Sequence, residues 1–268
     1  MANVSGKAAT RIVSGLKKFQ PILASAKSRD VNESDTVVIV TDLLQEIFGY
    51  DKYSEITSEH VIRGTFCDLA IKIENTLELL IEVKAIGLEL KESFVKQAVD
   101  YAANQGVEWV VLTNGLTWRA YKVSFGKPIT NELVVEFNLC ELSPKNEDHL
   151  ELVVLLAKEG WQKARLGEYQ AQRQALSRFS VGAVVLTDPV CDVIRRELKR
   201  ISPGIKIEVE EIRTVLQNEV LKRDVLEGDK ADLAKKQASR AANRALRSAK
   251  SDDEPPPKHD PDPAPHKE

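Results

Sequence analysis

Two acidic residues and a lysine have the types and the spacing that metal-assisted hydrolysis requires. Asp68 lies near the start of one apolar run, and Glu82 and Lys84 end the next one. Carboxylates that are buried together are costly unless a cation neutralises them, and hard divalent ions prefer oxygen ligands of this kind. The sequence therefore predicts a site for Mg²⁺ or Mn²⁺, provided that the fold brings the two runs side by side.

The two apolar runs, residues 66–73 and 77–84, are predicted to be strands because Ile, Leu and Val dominate them. The polar residues 74–76 suit a tight hairpin, which would bring Asp68 beside Glu82. Since side chains alternate across a strand, the second strand is expected to divide its residues between two faces. One face then carries Leu77, Leu79, Ile81 and Val83, and the other carries Leu80, Glu82 and Lys84.

These residues carry a resemblance to a known family. Cys67-Asp68, followed after the hairpin by Glu82-Val83-Lys84, resembles the PD-(D/E)XK nuclease signature with Cys67 in place of its proline. The surroundings extend the resemblance to the nuclease domain at the N-terminus of the motor subunit of type I restriction enzymes. They are Glu59 and Gly64 before the first strand, Gln97 and Tyr101 in the next helix, and the segment VVLTNGLTWRAY. The resemblance covers about residues 32–123 and implies an α/β fold with a restriction-endonuclease-like core.

The resemblance also implies a function. It points to a Mg²⁺-dependent or Mn²⁺-dependent nuclease that hydrolyses phosphodiester bonds in DNA, in defence against foreign DNA. Asp68, Glu82 and the carbonyl of Val83 would hold the metal, and Lys84 would position the attacking water or stabilise the pentavalent charge. The alternative is a nucleic-acid-binding or regulatory subunit that keeps the fold without cutting.

Further site residues follow from the same resemblance. In the related nucleases an acid of the first core helix leans toward the metal, and the match over residues 32–36 points to Glu33. Acids in a first turn can also simply complement the helix dipole, and for Asp35 both interpretations are open. Gln97 is expected to orient the metal site or the DNA strand, although a Gln–Tyr pair can also cap and pack. Glu59 is either a site residue or a solvated edge residue.

The elements that must position these residues form one predicted domain, residues 1–145, with a mixed central sheet flanked by helices. Pro21 is expected to interrupt the first helix near its end. Trp118 and Tyr121 are interpreted as core and sheet-face aromatics rather than base-stacking residues. The predicted helices are 9–23, 32–48 and 88–104, and the later strands are 109–113, 117–123 and 133–139.

The C-terminal part is predicted to be mostly helical. A helical module, residues 146–228, would contain helices 147–158, 159–179, 189–201 and 210–226 and a short strand at 205–209. Packing, dimerisation and nucleic-acid contact are all open for it. A basic helix, 229–250, would carry one positive stripe suited to phosphates, or simply a solvated face. The stripe is Lys236, Arg240, Arg244 and Arg247. The acidic, proline-rich residues 251–268 are expected to be disordered and to compete with DNA for the stripe.

Composition excludes several other classes of protein. No run of 18 apolar residues occurs, so we expect no membrane contact. Three cysteines without close pairing support neither a disulfide framework nor a zinc site and favour the cytoplasm. No Walker A loop is present, so the motor of the restriction subunit is missing from this chain, and no G-x-S-x-G or H-E-x-x-H motif occurs. The expected partner is DNA, with a homodimer or a protein bound through the helical module left open.

Overall fold

The computed structural model describes residues 6–62 and 65–251. Side chains are described over these ranges except at residues 59–62, 65–66 and 245–251. The chain divides into two compact units, Met1–Gln170 and Ala171–Glu268. Within the described residues, no helix is both long enough and apolar enough to cross a bilayer.

The first unit is built on a mixed sheet of six strands that follow one another in chain order. The strands are β1 (Ile56–Ile62), β2 (Thr65–Ile73), β3 (Thr76–Val83), β4 (Trp109–Thr113), β5 (Thr117–Ser124) and β6 (Thr130–Asn138). Strands β3 and β4 are parallel, and the other neighbouring pairs are antiparallel. A parallel pair needs a crossover, which helix α3, Glu92–Gln105, supplies. The predicted mixed sheet flanked by helices is therefore confirmed.

The hairpin between β2 and β3 turns through two residues. Glu74 and Asn75 have φ angles of 51° and 65°, the left-handed conformation that both central residues of a type I′ turn require. Such a turn matches the natural twist of the two strands, and it fixes their register. Leu69 pairs with Ile81 near the far end of the hairpin.

Helices cover both faces of this sheet. Helices α1 (Gly6–Ser28), α2 (Glu33–Glu46) and α4 (Glu147–Leu156) pack on one face, and α3 packs on the other. The first face buries Ile12, Leu16, Val40, Leu43, Leu79, Ile81, Val83 and Val153, and the second buries Ala70, Leu80, Val95, Ala98 and Val99. Successive β3 residues between Leu79 and Glu82 therefore point alternately into the two cores, as in any strand that is buried on both sides.

Two details of this unit differ from the sequence prediction. Leu77 packs with the α3 side instead of sharing a face with Leu79, because the register shifts between Ile71 and Lys72 and the extra residue reverses the alternation. Helix α1 continues through Pro21 to Ser28. The proline is exposed while Leu23 beyond it is buried, so packing holds the helix together past the missing N–H donor.

The first unit continues beyond residue 145, because α4 contributes Leu150, Val153 and Val154 to the same core. Two short helices follow, α5 (Lys158–Gln162) and α6 (Arg165–Ala175). The predicted single helix over 159–179 is therefore wrong. Ala164 adopts φ 52°, which separates α5 from α6, and Ser177 caps the start of the next helix.

The second unit is helical. Its helices are α7 (Arg178–Val185), α8 (Asp188–Ile201), α9 (Val209–Val215), α10 (Arg223–Leu226) and α11 (Asp229–Ser251), with a π-helical turn at Leu216–Val220. The predicted strand at 205–209 is wrong: residues 205–208 are irregular, and a capping box between Glu208 and Glu211 starts α9. The predicted helix 210–226 is interrupted by the π-helical turn and by the extended backbone of Leu221.

Candidate active site

The hairpin brings Asp68 and Glu82 together at one end of the sheet. Because Leu69 pairs with Ile81, the next step of the antiparallel register sets Asp68 opposite Glu82. The Oδ2 atom of Asp68 accepts a hydrogen bond of 2.7 Å from the backbone N–H of Val83. Glu82 is only 5% exposed, whereas Asp68 is partly buried. The two carboxylates therefore lie side by side at the end of the hairpin, as the sequence predicted.

Lys84 lies among the carboxylates. Its Nζ donates a hydrogen bond of 2.8 Å to Oε1 of Glu82 and lies 3.6 Å from Oε2 of Glu33. The side chain of Lys84 is 17% exposed, so these charges meet in partial isolation from water. Glu33, Asp68, Glu82 and Lys84 are called the acid–lysine cluster below. It contains three carboxylates and one ammonium group.

Burial and charge shift the pKa values within this cluster. Burial, followed by the neighbouring charges of Asp68 and Glu33, raises the pKa of Glu82, although the hydrogen bond from Lys84 opposes the change. Burial alone would lower the pKa of Lys84, but its hydrogen bond to Glu82 and the surrounding negative charges outweigh burial and raise the pKa. Lys84 is therefore a cation near neutral pH, suited to stabilising negative charge and not to accepting a proton.

The start of α2 determines which acid reaches the lysine. Asn32 caps the helix, with its side-chain oxygen accepting a hydrogen bond of 2.9 Å from the N–H of Asp35. The cap sets Glu33 at the first helical position, from which its carboxylate approaches Lys84. Both first-turn acids, Glu33 and Asp35, are exposed, and Glu33 is the one that approaches Lys84 and joins the cluster.

Thr36 ties α2 to the segment that follows Lys84. Its fully buried hydroxyl donates a hydrogen bond of 2.8 Å to the carbonyl of Asn32 and accepts one of 3.1 Å from the N–H of Ile86. One side chain therefore connects the cap beside Glu33 to the backbone two residues after Lys84. This contact holds two members of the cluster at a fixed separation.

The turn between β4 and β5 also supports the segment that follows Lys84. The backbone N–H of Lys84 donates to the carbonyl of Thr113 at 2.8 Å. The buried amide of Asn114 donates to the carbonyl of Leu88 at 2.9 Å and to that of Ile86 at 3.4 Å. The sequence predicted the strands on either side of Asn114 but not the role of this amide, because a local pattern does not reveal which distant carbonyls a side chain reaches.

Gln97 and Tyr101 lie one turn apart on α3, which packs against β2 and β3. Tyr101 is buried, and burial raises its pKa, whereas Gln97 is exposed. The role of Gln97 stays a prediction. Cys67, in the place of the family proline, is fully buried, and its Sγ lies 3.2 Å from the carbonyl oxygen of Ile81. Burial and the charges of Glu82 and Asp68 raise the pKa of Cys67 to about 12, so it packs as a neutral thiol.

The predicted basic stripe faces away from the packed side of α11. Ala231 and Ala234 are buried, and α11 contacts α7. At 3.6 residues per turn, the direction opposite these alanines is the one that carries Lys236 and Arg240. Lys236, Arg240 and Arg244 are all exposed. The arrangement permits contact with phosphates, and it equally describes a solvated helix face.

Several predicted features fall outside what the structure describes. They are Gly64, the side chains of Glu59 and Arg247, and residues 252–268 of the acidic tail. Their predicted roles are neither supported nor opposed by the contacts above.

The oxygen atoms available as metal ligands suit a hard cation, but they are few. Among the residues that the structure describes, no three or more His, Cys, Asp and Glu side chains are grouped as a metal site. Asp68 and Glu82 supply two carboxylates, and the remaining predicted protein ligand is a backbone carbonyl, that of Val83. Mg²⁺ is commonly held by only one or two carboxylates together with water and phosphate oxygens. The donors therefore fit Mg²⁺ or Mn²⁺ and do not fit a closed structural zinc site.

The first unit is thus an α/β domain with an acid–lysine cluster at the end of a central hairpin. Residues 38–135 match the family described as the N terminus of the type I restriction enzyme R protein. This match confirms the resemblance inferred from the sequence. It spans Asp68, Glu82, Lys84 and Gln97, while Glu33 lies just before it. Comparisons with curated proteins and with solved structures gave no match.

Proposed function

We propose that the chain is a metal-dependent nuclease of the PD-(D/E)XK type that hydrolyses phosphodiester bonds in DNA. The observation that carries the proposal is the acid–lysine cluster: Asp68 and Glu82 meet across the hairpin, with Lys84 at 2.8 Å from Glu82. The family match supports a restriction-related role for the segment that bears these residues. Defence against foreign DNA is the corresponding biological proposal.

Asp68, Glu82 and the carbonyl of Val83 would hold Mg²⁺ or Mn²⁺. When bound, such an ion polarises a phosphoryl oxygen and lowers the pKa of a water molecule. The cluster has more carboxylates than cations, and burial, followed by the charges of Asp68 and Glu33, raises the pKa of Glu82. A divalent cation would relieve the excess of negative charge. This electrostatic argument is independent of the sequence motif.

Lys84 would supply a permanent positive charge to the reaction. Its raised pKa keeps it protonated, so it would donate to a phosphate oxygen as negative charge develops there. Glu33, 3.6 Å away, would orient the ammonium group. Thr36 and Asn114 would hold the backbone on which Lys84 depends. Gln97 would contact the DNA strand or the metal site from α3.

A second function, DNA binding without cleavage, is favoured by one observation. Lys84 already pairs with Glu82, and the Asp68 carboxylate already accepts from Val83, so the cluster satisfies much of its own bonding without a metal. In that case the exposed stripe of Lys236, Arg240 and Arg244 on α11 would provide much of the affinity.

A cleavage assay separates the two functions. Purified chain is incubated with linear duplex, supercoiled circular and single-stranded DNA in Mg²⁺, Mn²⁺ or EDTA, beside Glu82→Gln purified identically. Cleavage by the wild type that needs the divalent ion and is absent from Glu82→Gln supports the nuclease. DNA binding without cleavage of any substrate in either metal would favour the second function. Equal cleavage by both proteins would indicate a contaminating enzyme.

A further inference from the structure

Among the residues that the structure describes, the second unit exposes ten large apolar side chains. Among its described residues, the buried apolar positions are mainly small: Ala183, Cys191, Ile212, Ala231 and Ala234. The exposed large ones are Leu176, Val181, Val184, Val193, Leu198, Ile201, Ile205, Val215, Val220 and Leu233. Scattered exposed apolar residues are normal, but a concentration of them on one small unit marks an interaction surface.

One part of this surface lies at the end of α8 and is basic. Val190, Ile194, Leu198 and Ile201 recur at steps of four, four and three, so they form one stripe along the helix. Its first half is partly buried, whereas Leu198 and Ile201 are 36% and 77% exposed. Residues 195–206 contain five basic residues and one acidic residue. Leu198 and Ile201, with Arg196, Lys199 and Arg200 beside them, are called the basic apolar face.

A second part lies on α9 and the π-helical turn and is acidic. Val215 and Val220 are 51% and 63% exposed, and Glu211 and Glu219 lie one turn to either side of Val215. Residues 207–219 contain four acidic residues and one basic residue. Val215 and Val220, with Glu211 and Glu219, are called the acidic apolar face. Ile212 on the same helix is buried, so the helix has an inner side that is already packed.

We propose that the occupant of these faces is a second copy of the chain, with the basic apolar face of one copy on the acidic apolar face of the other. The two faces are apolar, adjacent in sequence and opposite in charge, and within one chain they do not cover each other, since both are exposed. A pairing of α8 with α8 through their exposed ends would set Lys199 and Arg200 against their own copies, which like-charge repulsion opposes.

A dimer with two-fold symmetry would contain this contact twice. In such an isologous pair, the basic face of each copy meets the acidic face of the other, so both faces are covered and the assembly closes as a dimer. Burial of Leu198, Ile201, Val215 and Val220 would provide affinity, and the charged rims would fix the register. This dimer uses none of the acid–lysine cluster, so it does not depend on the nuclease proposal.

Sedimentation velocity of the full chain over a concentration series, in low and high salt, tests the dimer. We expect a reversible dimer that weakens as salt is raised, because the rim charges are exposed and screened. Leu198→Glu/Ile201→Glu should raise the dimer dissociation constant by about tenfold or more, since it replaces central apolar contacts by charge. Leu233→Glu, at an exposed leucine on α11 outside both faces, is the matched control and should dimerise like the wild type.

A charge exchange identifies the partner surface. Lys199→Glu alone and Glu219→Lys alone should each weaken the dimer, and the two together should restore it. Circular dichroism checks that each variant keeps its helices. A wild type that stays monomeric at every concentration, or a dimer that Leu198→Glu/Ile201→Glu leaves intact, would overturn the proposal. So would binding of the monomeric wild type to anionic vesicles through Ile201, which would make the basic apolar face a lipid-binding surface.

Cross-linking gives a second readout. In a Cys140→Ser background, which removes the exposed native thiol, Ile201→Cys/Val215→Cys should form a disulfide-linked dimer on mild oxidation. Cys67 and Cys191 are buried and should not compete. Oxidation that links the two new cysteines within one chain, without a dimer band, would contradict the arrangement.

Discussion

The Asp68 carboxylate holds the backbone N–H of Val83, the residue between Glu82 and Lys84, at 2.7 Å. One side chain thus fastens the end of β3 and places negative charge beside Glu82. The first effect needs only an acceptor oxygen, whereas the second needs a full charge. Substitutions can therefore separate the structural contribution of Asp68 from its proposed role as a ligand.

Asp68→Asn should fold with a stability within about 1 kcal/mol of the wild type in EDTA, because the amide oxygen can still accept from Val83. Asp68→Ala should cost about 1–3 kcal/mol, since it leaves a buried backbone N–H without that partner. Urea denaturation of the three proteins measures the difference. Equal stability of the Asn and Ala variants would show that the hydrogen bond to Val83 does not support β3.

Lys84→Met should reduce the rate of DNA cleavage by about a hundredfold or more, because it removes the charge proposed to stabilise the transition state. Its contacts predict a second effect that the sequence did not reveal. The variant should lose about 1–2 kcal/mol of stability at neutral pH, since three carboxylates remain without their ammonium partner. Single-turnover cleavage and urea denaturation measure the two effects.

The matched control for Lys84 is Lys96→Met, at an exposed lysine on α3. It should change neither the rate of DNA cleavage nor the stability appreciably. A Lys84→Met protein that cleaves DNA as fast as Lys96→Met would remove Lys84 from the mechanism.

Glu82→Gln should change how stability depends on pH. The folded-state pKa of Glu82 is raised by burial and by the charges of Asp68 and Glu33. The wild type therefore loses stability as pH rises from the ordinary Glu value, about 4.3, through that raised pKa. The Gln variant has no proton to lose, so in EDTA it should equal or exceed the wild type by up to about 1 kcal/mol at neutral pH.

The two proteins should converge at acid pH, where Glu82 is protonated in both the folded and the unfolded state. Thermal or urea denaturation in EDTA from acid to neutral pH measures the gap. A Gln variant that is less stable at neutral pH, with a gap that shrinks on acidification, would mean that the Lys84 pair outweighs the cost of burying the charge.

Neutralising the stripe on α11 should weaken DNA binding and flatten its salt dependence. Each phosphate contact contributes about 0.9 to the slope of log K against log salt, so Lys236→Ala/Arg240→Ala/Arg244→Ala should reduce the slope by up to about 3. Fluorescence anisotropy with a labelled duplex measures it. Lys127→Ala/Lys145→Ala/Lys163→Ala, which removes the same number of exposed basic side chains from the first unit, is the control. Identical slopes would make the stripe a solvated face.

The sequence predicted the hairpin well because its information is local. Alternating apolar residues define β2 and β3, and the polar residues between them define the turn, so the pattern alone sets Asp68 and Glu82 side by side. Contacts between segments that are distant in the chain leave no such pattern in the sequence. The approach of Glu33 to Lys84, the Thr36 hydroxyl on Ile86 and the Asn114 amide on Leu88 all depend on how distant segments pack.

The C-terminal helices show where prediction from apolar spacing fails. Apolar spacing alone predicted one helix over 159–179 and another over 210–226, but the breaks at Ala164 and Leu221 come from single backbone conformations that periodicity does not report. The strand predicted at 205–209 had the right alternation. The cap formed by Glu208 and Glu211 nevertheless starts a helix there, because it satisfies the first N–H groups of α9.

The central claim is that Asp68 and Glu82 form a metal site, and titration of the full chain with Mn²⁺, followed by electron paramagnetic resonance of the free ion, tests it most directly. Mn²⁺ can be observed without DNA, so a contaminating nuclease cannot imitate the result. We predict saturable binding by the wild type and affinity lowered by at least about tenfold in Asp68→Asn, a variant expected to stay folded. Wild-type protein that binds no Mn²⁺, or Asp68→Asn that binds it equally well, would contradict the account.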